Sequence, residues 1–124
     1  MRLKNIKQYY LKNKVVHQDA REGGRYETFS APISIMANIY IAEPGTSQPT
    51  ARGIDNKDVR EMLLDVDYQV QYDVLTKQVK YVFAEGALSV GDGVCVYAPP
   101  SQEPDYQIVS VAEAGHLICQ LERC

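Results

Sequence analysis

Five thiol and imidazole groups and a row of aspartates carry most of the reactive chemistry in this sequence. They are Cys95, Cys119 and Cys124, His17 and His116, and Asp65, Asp67 and Asp73. A metal site needs Cys, His or carboxylate ligands at short spacing. His116, Cys119 and Cys124 come nearest to that pattern, with Cys95 as a fourth candidate. On a strand, however, His116 and Cys119 are an odd number of residues apart and point to opposite faces. The strand thiols therefore read as small hydrophobes, with Cys124 exposed. Nucleophilic catalysis needs a base oriented beside Ser, Cys or Thr, and no local signature surrounds His17 or His116. The aspartates could hold a divalent cation. The plainer reading is a solvated strand face that discourages edge-to-edge aggregation. Gly91-Asp92-Gly93 lacks the downstream glycine and opening helix of a dinucleotide loop and reads as a turn. No catalytic residue, metal ligand or cofactor site is expected, because no group of residues presents nucleophile, base and orienter together.

The elements that would position these groups are mostly strands. Nine Tyr stand against two Phe and no Trp, and Tyr favours half-buried strands. Leu3, Ile6 and Tyr10 share one helical face, so Leu3 to Lys12 is expected to form a short helix. Lys14 to Gln18 reads as a strand built on Val15 and Val16. Gly23-Gly24 among charges marks a hairpin turn, and Tyr26 to Ser30 returns. Ile33, Ile35, Ala37, Ile39 and Ile41 alternate with Ser34, Met36, Asn38 and Tyr40, which predicts a long strand with one apolar face. Asp55 is placed to cap a short helical turn through Val59 or beyond, and Met62 to Leu64 fit that turn or the next strand. Val66, Tyr68, Val70, Tyr72 and Val74 alternate with Asp65, Asp67, Gln69, Gln71 and Asp73 and predict a second long strand. Further strands are expected at Val79–Phe83, Val94–Tyr97, Tyr106–Val111 and His116–Leu121. The result is a mainly β chain: a small antiparallel β-barrel or sandwich with a long irregular loop and at most one or two short helices.

Length and composition limit the possible roles. A chain of 124 residues suits one domain, expected to span 1–124, with 1–13 as an amino-terminal extension. Apolar residues make up 45%, enough for a core. The net charge of −3 argues against a dedicated nucleic-acid binder, which would carry a basic stripe. An odd number of cysteines suggests no disulfide framework. No stretch reaches the length of a membrane-spanning segment, and no secretory segment is visible. The expectation is a cytosolic product with reduced thiols and no membrane partner.

The stretch 43–55 stands apart. It holds Pro44, Gly45, Pro49 and Gly53 with few core residues. A long polar loop between well-formed strands is uncommon in compact domains unless it is functional. Glu43, Thr46, Ser47, Gln48, Thr50, Arg52 and Asp55 are therefore the candidate contact residues.

The order of these features resembles phage head–tail joining proteins, also called head-closure or stopper proteins. The likeness is to those of tailed phages and of phage-like elements such as the defective prophage of Bacillus. It is spread over most of the chain: the basic start, the strand at Lys14-Val15-Val16, the charged Gly turn, the strand with Met36-Ala37-Asn38-Ile39, the irregular loop and the Asp65–Val74 strand. It is most local at Val90-Gly91-Asp92-Gly93-Val94, at Pro104-Asp105-Tyr106-Gln107-Ile108-Val109-Ser110-Val111 and at His116 to Leu121. The resemblance implies a small β-barrel that assembles as a homo-oligomeric ring on the particle. Its partners would be a portal or adaptor protein on one side and tail proteins on the other. DNA would pass through without specific binding. The implied job is to close the packaged head and dock the tail, with Glu43 to Asp55 as the lumen or neighbour-contact element. The implied setting is the host cytoplasm during assembly and then the head–tail junction of the virion. A monomer in solution fits the same reading.

Two alternatives remain at this level. One is a tail-completion protein of the same particle. The other is an OB-like nucleic-acid-binding module, which would need aromatics interleaved with Lys or Arg. The tyrosine-rich strand is interleaved with Asp and Gln instead.

Overall fold

The computed structural model describes residues 6–18, 24–41, 58–74 and 77–124. Among the described residues there are eleven strands and no helix. They are β1 (Lys7–Lys12), β2 (Lys14–Gln18), β3 (Arg25–Phe29), β4 (Ile33–Ile41), β5 (Val59–Leu64), β6 (Gln69–Asp73), β7 (Gln78–Phe83), β8 (Gly86–Leu88), β9 (Gly93–Cys95), β10 (Tyr106–Glu113) and β11 (Leu117–Arg123). Six of them close an antiparallel barrel in the order β1-β4-β5-β11-β10-β9, with β9 pairing back onto β1. A small β-barrel is thus the architecture, as the alternating patterns predict.

Period-two burial builds the core. On β4, Ile35 and Ala37 point inward while Ser34 and Met36 are exposed. On β11, Leu117, Cys119 and Leu121 are fully buried. Registers Cys119↔Met62 and Leu117↔Leu64 put β5 residues in the same interior layers. Leu11, Val94 and Tyr106 complete the ring of contacts across β1, β9 and β10. Phe83 and Leu88 join this core from outside the barrel strands.

β10 does not alternate cleanly in sequence, and a bulge resolves it. Ile108 pairs with Leu121, and the next pair is Ser110 with Gln120, so Val109 is the extra residue. The inward phase moves from Tyr106 and Ile108 to Val111, which pairs with buried Cys119. Without the bulge, the Ser110 hydroxyl would face the core.

Two small sheets stand outside the barrel. β2 and β3 form a hairpin in the register Lys14↔Phe29 to Gln18↔Arg25. β6, β7 and β8 form a three-stranded sheet.

Three expectations are corrected. The segment predicted as a helix is β1 over Lys7–Lys12, because both of its edges are hydrogen-bonded, to β4 and to β9, and Leu11 alternates into the core. Two open ladders outweigh a short isolated helix. The turn expected through Val59 or beyond meets β5, which starts at Val59, and Met62 to Leu64 belong to that strand. The long Asp65–Val74 strand is regular only over Gln69–Asp73 and lies outside the barrel. The sequence reading also missed the short strand β8. Asp19 to Gly23 of the hairpin turn and Asp55 lie outside the described residues.

Candidate functional site

The expected contact residues Glu43, Thr46, Ser47, Gln48, Thr50, Arg52 and Asp55 all lie outside the described residues. The described part of the molecule offers three other places where side chains converge.

The first is the root of the β2–β3 hairpin. Between β1 and β2, the Asn13 N–H donates to Ser30 Oγ (3.0 Å), and the Ser30 N–H donates to the Asn13 carbonyl (2.8 Å). The Asn13 side-chain amide donates to the Ala87 carbonyl (2.7 Å) and to Asp92 Oδ2 (2.9 Å). The Asp92 carboxylate also accepts from the Lys14 N–H (2.9 Å) and the Ser89 N–H (2.8 Å). Asp92 is 3% exposed. Burial pushes its carboxyl above the usual carboxylate range, while the hydrogen bonds from Lys14, Asn13 and Ser89 pull it back. One buried carboxylate thus locks the β1–β2 corner to the β8–β9 turn and sets how the hairpin leaves the barrel. Gly93 completes the root: a Cβ there would lie 2.3 Å from Pro104 Cγ. Only glycine admits the 99–105 loop this close to β9. A cleft of about 260 Å³ lies beside the root, between Lys12, Glu27–Phe29 and Ser101–Pro104. Lys12 Nζ donates to the Gln102 carbonyl there (2.7 Å).

The second place is one end of the barrel. Asp58, Arg60, Met62 and Leu64 share the inward phase of β5 and the residue before it. Arg60 Nε donates to Asp58 Oδ1 (2.9 Å) and Nη1 to the Tyr97 hydroxyl (2.8 Å). The Tyr106 hydroxyl donates to Asp58 Oδ2 (2.5 Å). The guanidinium lies over the Tyr97 and Tyr106 rings at 5.5 and 5.6 Å. Hydrogen bonds from Arg60 and Tyr106 hold the Asp58 carboxyl below its ordinary value. Burial, with the bond to Asp58, pushes Tyr106 up to about 12. The Arg60 charge is neutralised by its own Asp58, so this cluster closes the barrel end rather than inviting an anion.

The third place is the exposed β surface. Val15, Val16, Tyr26 and Phe29 of the hairpin are 37 to 54% exposed. His17 stacks on Tyr26 with centroids 4.7 Å apart, and its Nε2 lies 2.8 Å from Thr28 Oγ1. All five residues of β6 are exposed. Such open strand edges are a liability in a lone monomer and a template for pairing with another chain.

The other groups singled out in the sequence lie apart from these clusters. Cys95 and Cys119 are buried in strands, and burial pushes the Cys119 thiol up to about 12. Cys124 is exposed. Asp65, Asp67 and Asp73 are exposed. Among the described residues, no three His, Cys, Asp or Glu side chains are grouped to hold a metal ion. Sequence reasoning missed the Asp58–Arg60–Tyr97–Tyr106 cluster. Its one local signal is the i, i+2 spacing of Asp58 and Arg60, whereas both tyrosines arrive from distant strands.

No family model, curated protein or solved structure matches the chain.

Proposed function

We propose that the protein is a structural component of a tailed-phage or prophage particle. It forms a ring at the head–tail junction, closes the DNA-filled head and docks the tail. The observation that carries this reading beyond the resemblance is the pairing of a closed barrel with open β arms. The barrel closes on itself, with β9 paired back onto β1. The β2–β3 hairpin and the β6–β8 sheet stand outside it with apolar residues in water. Closed rings need unlike surfaces on each copy that meet head to tail, and open strand edges can supply them. The net charge of −3 suits a conduit through which DNA slides without sticking. In this proposal the chain performs no catalysis. It works in the host cytoplasm during assembly and then at the junction, against a portal or adaptor protein and tail proteins.

The test is electron microscopy of particles from the source element after removal of this gene. Separate heads and tails, with heads that leak DNA, are expected. Free tails of abnormal length would move the protein to tail completion. Normal joined particles would overturn the proposal.

A further inference from the structure

β6 is exposed along its whole length. It pairs with β7 alone, so its outer edge carries no strand among the described residues. The apolar row that runs through it begins at the barrel: Val66, Tyr68 and Tyr81 pack against the core. The row then continues off the core, with Val70 49%, Tyr72 59% and Val74 76% exposed. The registers Val70↔Tyr81 and Tyr72↔Val79 make a two-strand apolar face from it. On the other face Gln69 and Gln71 lie along the strand, with Lys80 paired to Gln71, and the acid sits at its entry, where Asp65 and Asp67 precede the strand and are exposed. An extended segment added to this edge would therefore match it best by alternating apolar with basic residues.

That chemistry is written in the same chain. Residues 1–14 hold Arg2, Lys4, Lys7, Lys12 and Lys14 and no acid. Met1-Arg2-Leu3-Lys4 alternates apolar with basic. At the head of β1, Ile6 is 45% exposed and Lys7 is exposed. The other open element, the hairpin region 14–29, balances Lys14, Arg21 and Arg25 against Asp19, Glu22 and Glu27 and offers no such complement. We propose that the open edge and the Val70–Tyr72 face of β6 take the basic Met1–Lys4 stretch of a second copy of this chain. The contact is heterologous, so each copy gives one end and receives another. As the neighbour-to-neighbour bond of the junction ring it rests on the function proposed above, but it is read in solution rather than in particles.

Two double variants test it. Asp65→Lys with Asp67→Lys reverses the receiving edge, and Arg2→Glu with Lys4→Glu reverses the donating stretch. Sedimentation velocity of the wild type at millimolar protein and low salt should show self-association that weakens as salt is added. Each variant alone should associate about tenfold or more weakly. An equimolar mixture should regain association, because the basic stretch of the first variant meets the acidic edge of the second and the acidic stretch of the second meets the lysine edge of the first. All substituted side chains are exposed or precede β1, and a far-ultraviolet spectrum checks that the fold is kept. A wild type that stays monomeric at millimolar protein, variants that associate like the wild type, or a mixture that stays monomeric would each overturn the proposal. Failure here with separate heads and tails in the gene-removal experiment would sink the contact and leave the junction role standing.

Discussion

Two aspartates work in opposite directions on stability. Asp58 has its carboxyl held low by Arg60 and Tyr106. Its contribution is present above the ordinary carboxylate value, near ~4, and is lost as pH falls through the lower folded value. Asp92 is raised by burial. Its contribution is full below the ordinary value and is lost as pH rises through the raised folded one. Asp58→Asn should therefore flatten the acid limb. Urea unfolding at pH 5 and pH 2 is expected to show a larger drop for the wild type than for the variant, and parallel drops would mean the pairing contributes nothing. Asp92→Asn should destabilise at every pH. The carboxylate accepts from Asn13, Ser89 and Lys14, and an amide group would turn a donor towards at least one of these donors. A loss of about 1–3 kcal/mol is expected from denaturant midpoints, and an unchanged midpoint would show that the hairpin root relaxes.

At the scale of elements, the barrel depends on one irregularity. Val109 is the unpaired residue of the β10 bulge. Its deletion forces a choice between burying Ser110 and slipping the β10–β11 register, which runs from Tyr106↔Arg123 to Glu113↔Leu117. The expected cost is about 2 kcal/mol or more. Thermal unfolding of the deletion measures it, and a melting temperature equal to the wild type would mean the strand re-pairs without loss. Val109→Ala, which keeps the chain length, should cost far less, since Val109 is only half-buried. The contrast separates the bulge from the side chain. The arms are a different kind of element. An isolated two-stranded hairpin is marginal in water, and here the Asn13–Asp92–Ser30 root anchors one to the barrel.

For the whole molecule, the proposed function gives the barrel and the stretch 43–55 separable roles. The barrel's hydrogen-bonded ring runs through β1, β4, β5, β11, β10 and β9 and closes among the described residues. Removing Thr46 to Thr50 should leave an unfolding midpoint close to that of the full chain. Particles carrying that deletion should fail to join heads to tails. Normal particle yield would remove the loop from the proposed junction, and a lost unfolding transition would show that the stretch belongs to the fold instead.

Local pattern alone was enough for much of the barrel. The alternation from Ile33 to Ile41 marked β4, and the turn around Gly91 to Gly93 marked the entry to β9, because period two and glycine act over a few residues. Tertiary structure decided the rest. Leu3, Ile6 and Tyr10 fit a helical face, and only pairing with both β4 and β9 made Lys7–Lys12 a strand. Val70, Tyr72 and Val74 follow the same alternation as buried strands, yet they lie outside the barrel and in water. Periodicity states which residues share a face, but not what that face meets. The junction of Asp58 and Arg60 with Tyr97 and Tyr106 was invisible for the same reason. It joins residues 37 and 48 positions apart, and only closure of the barrel brings them to one end.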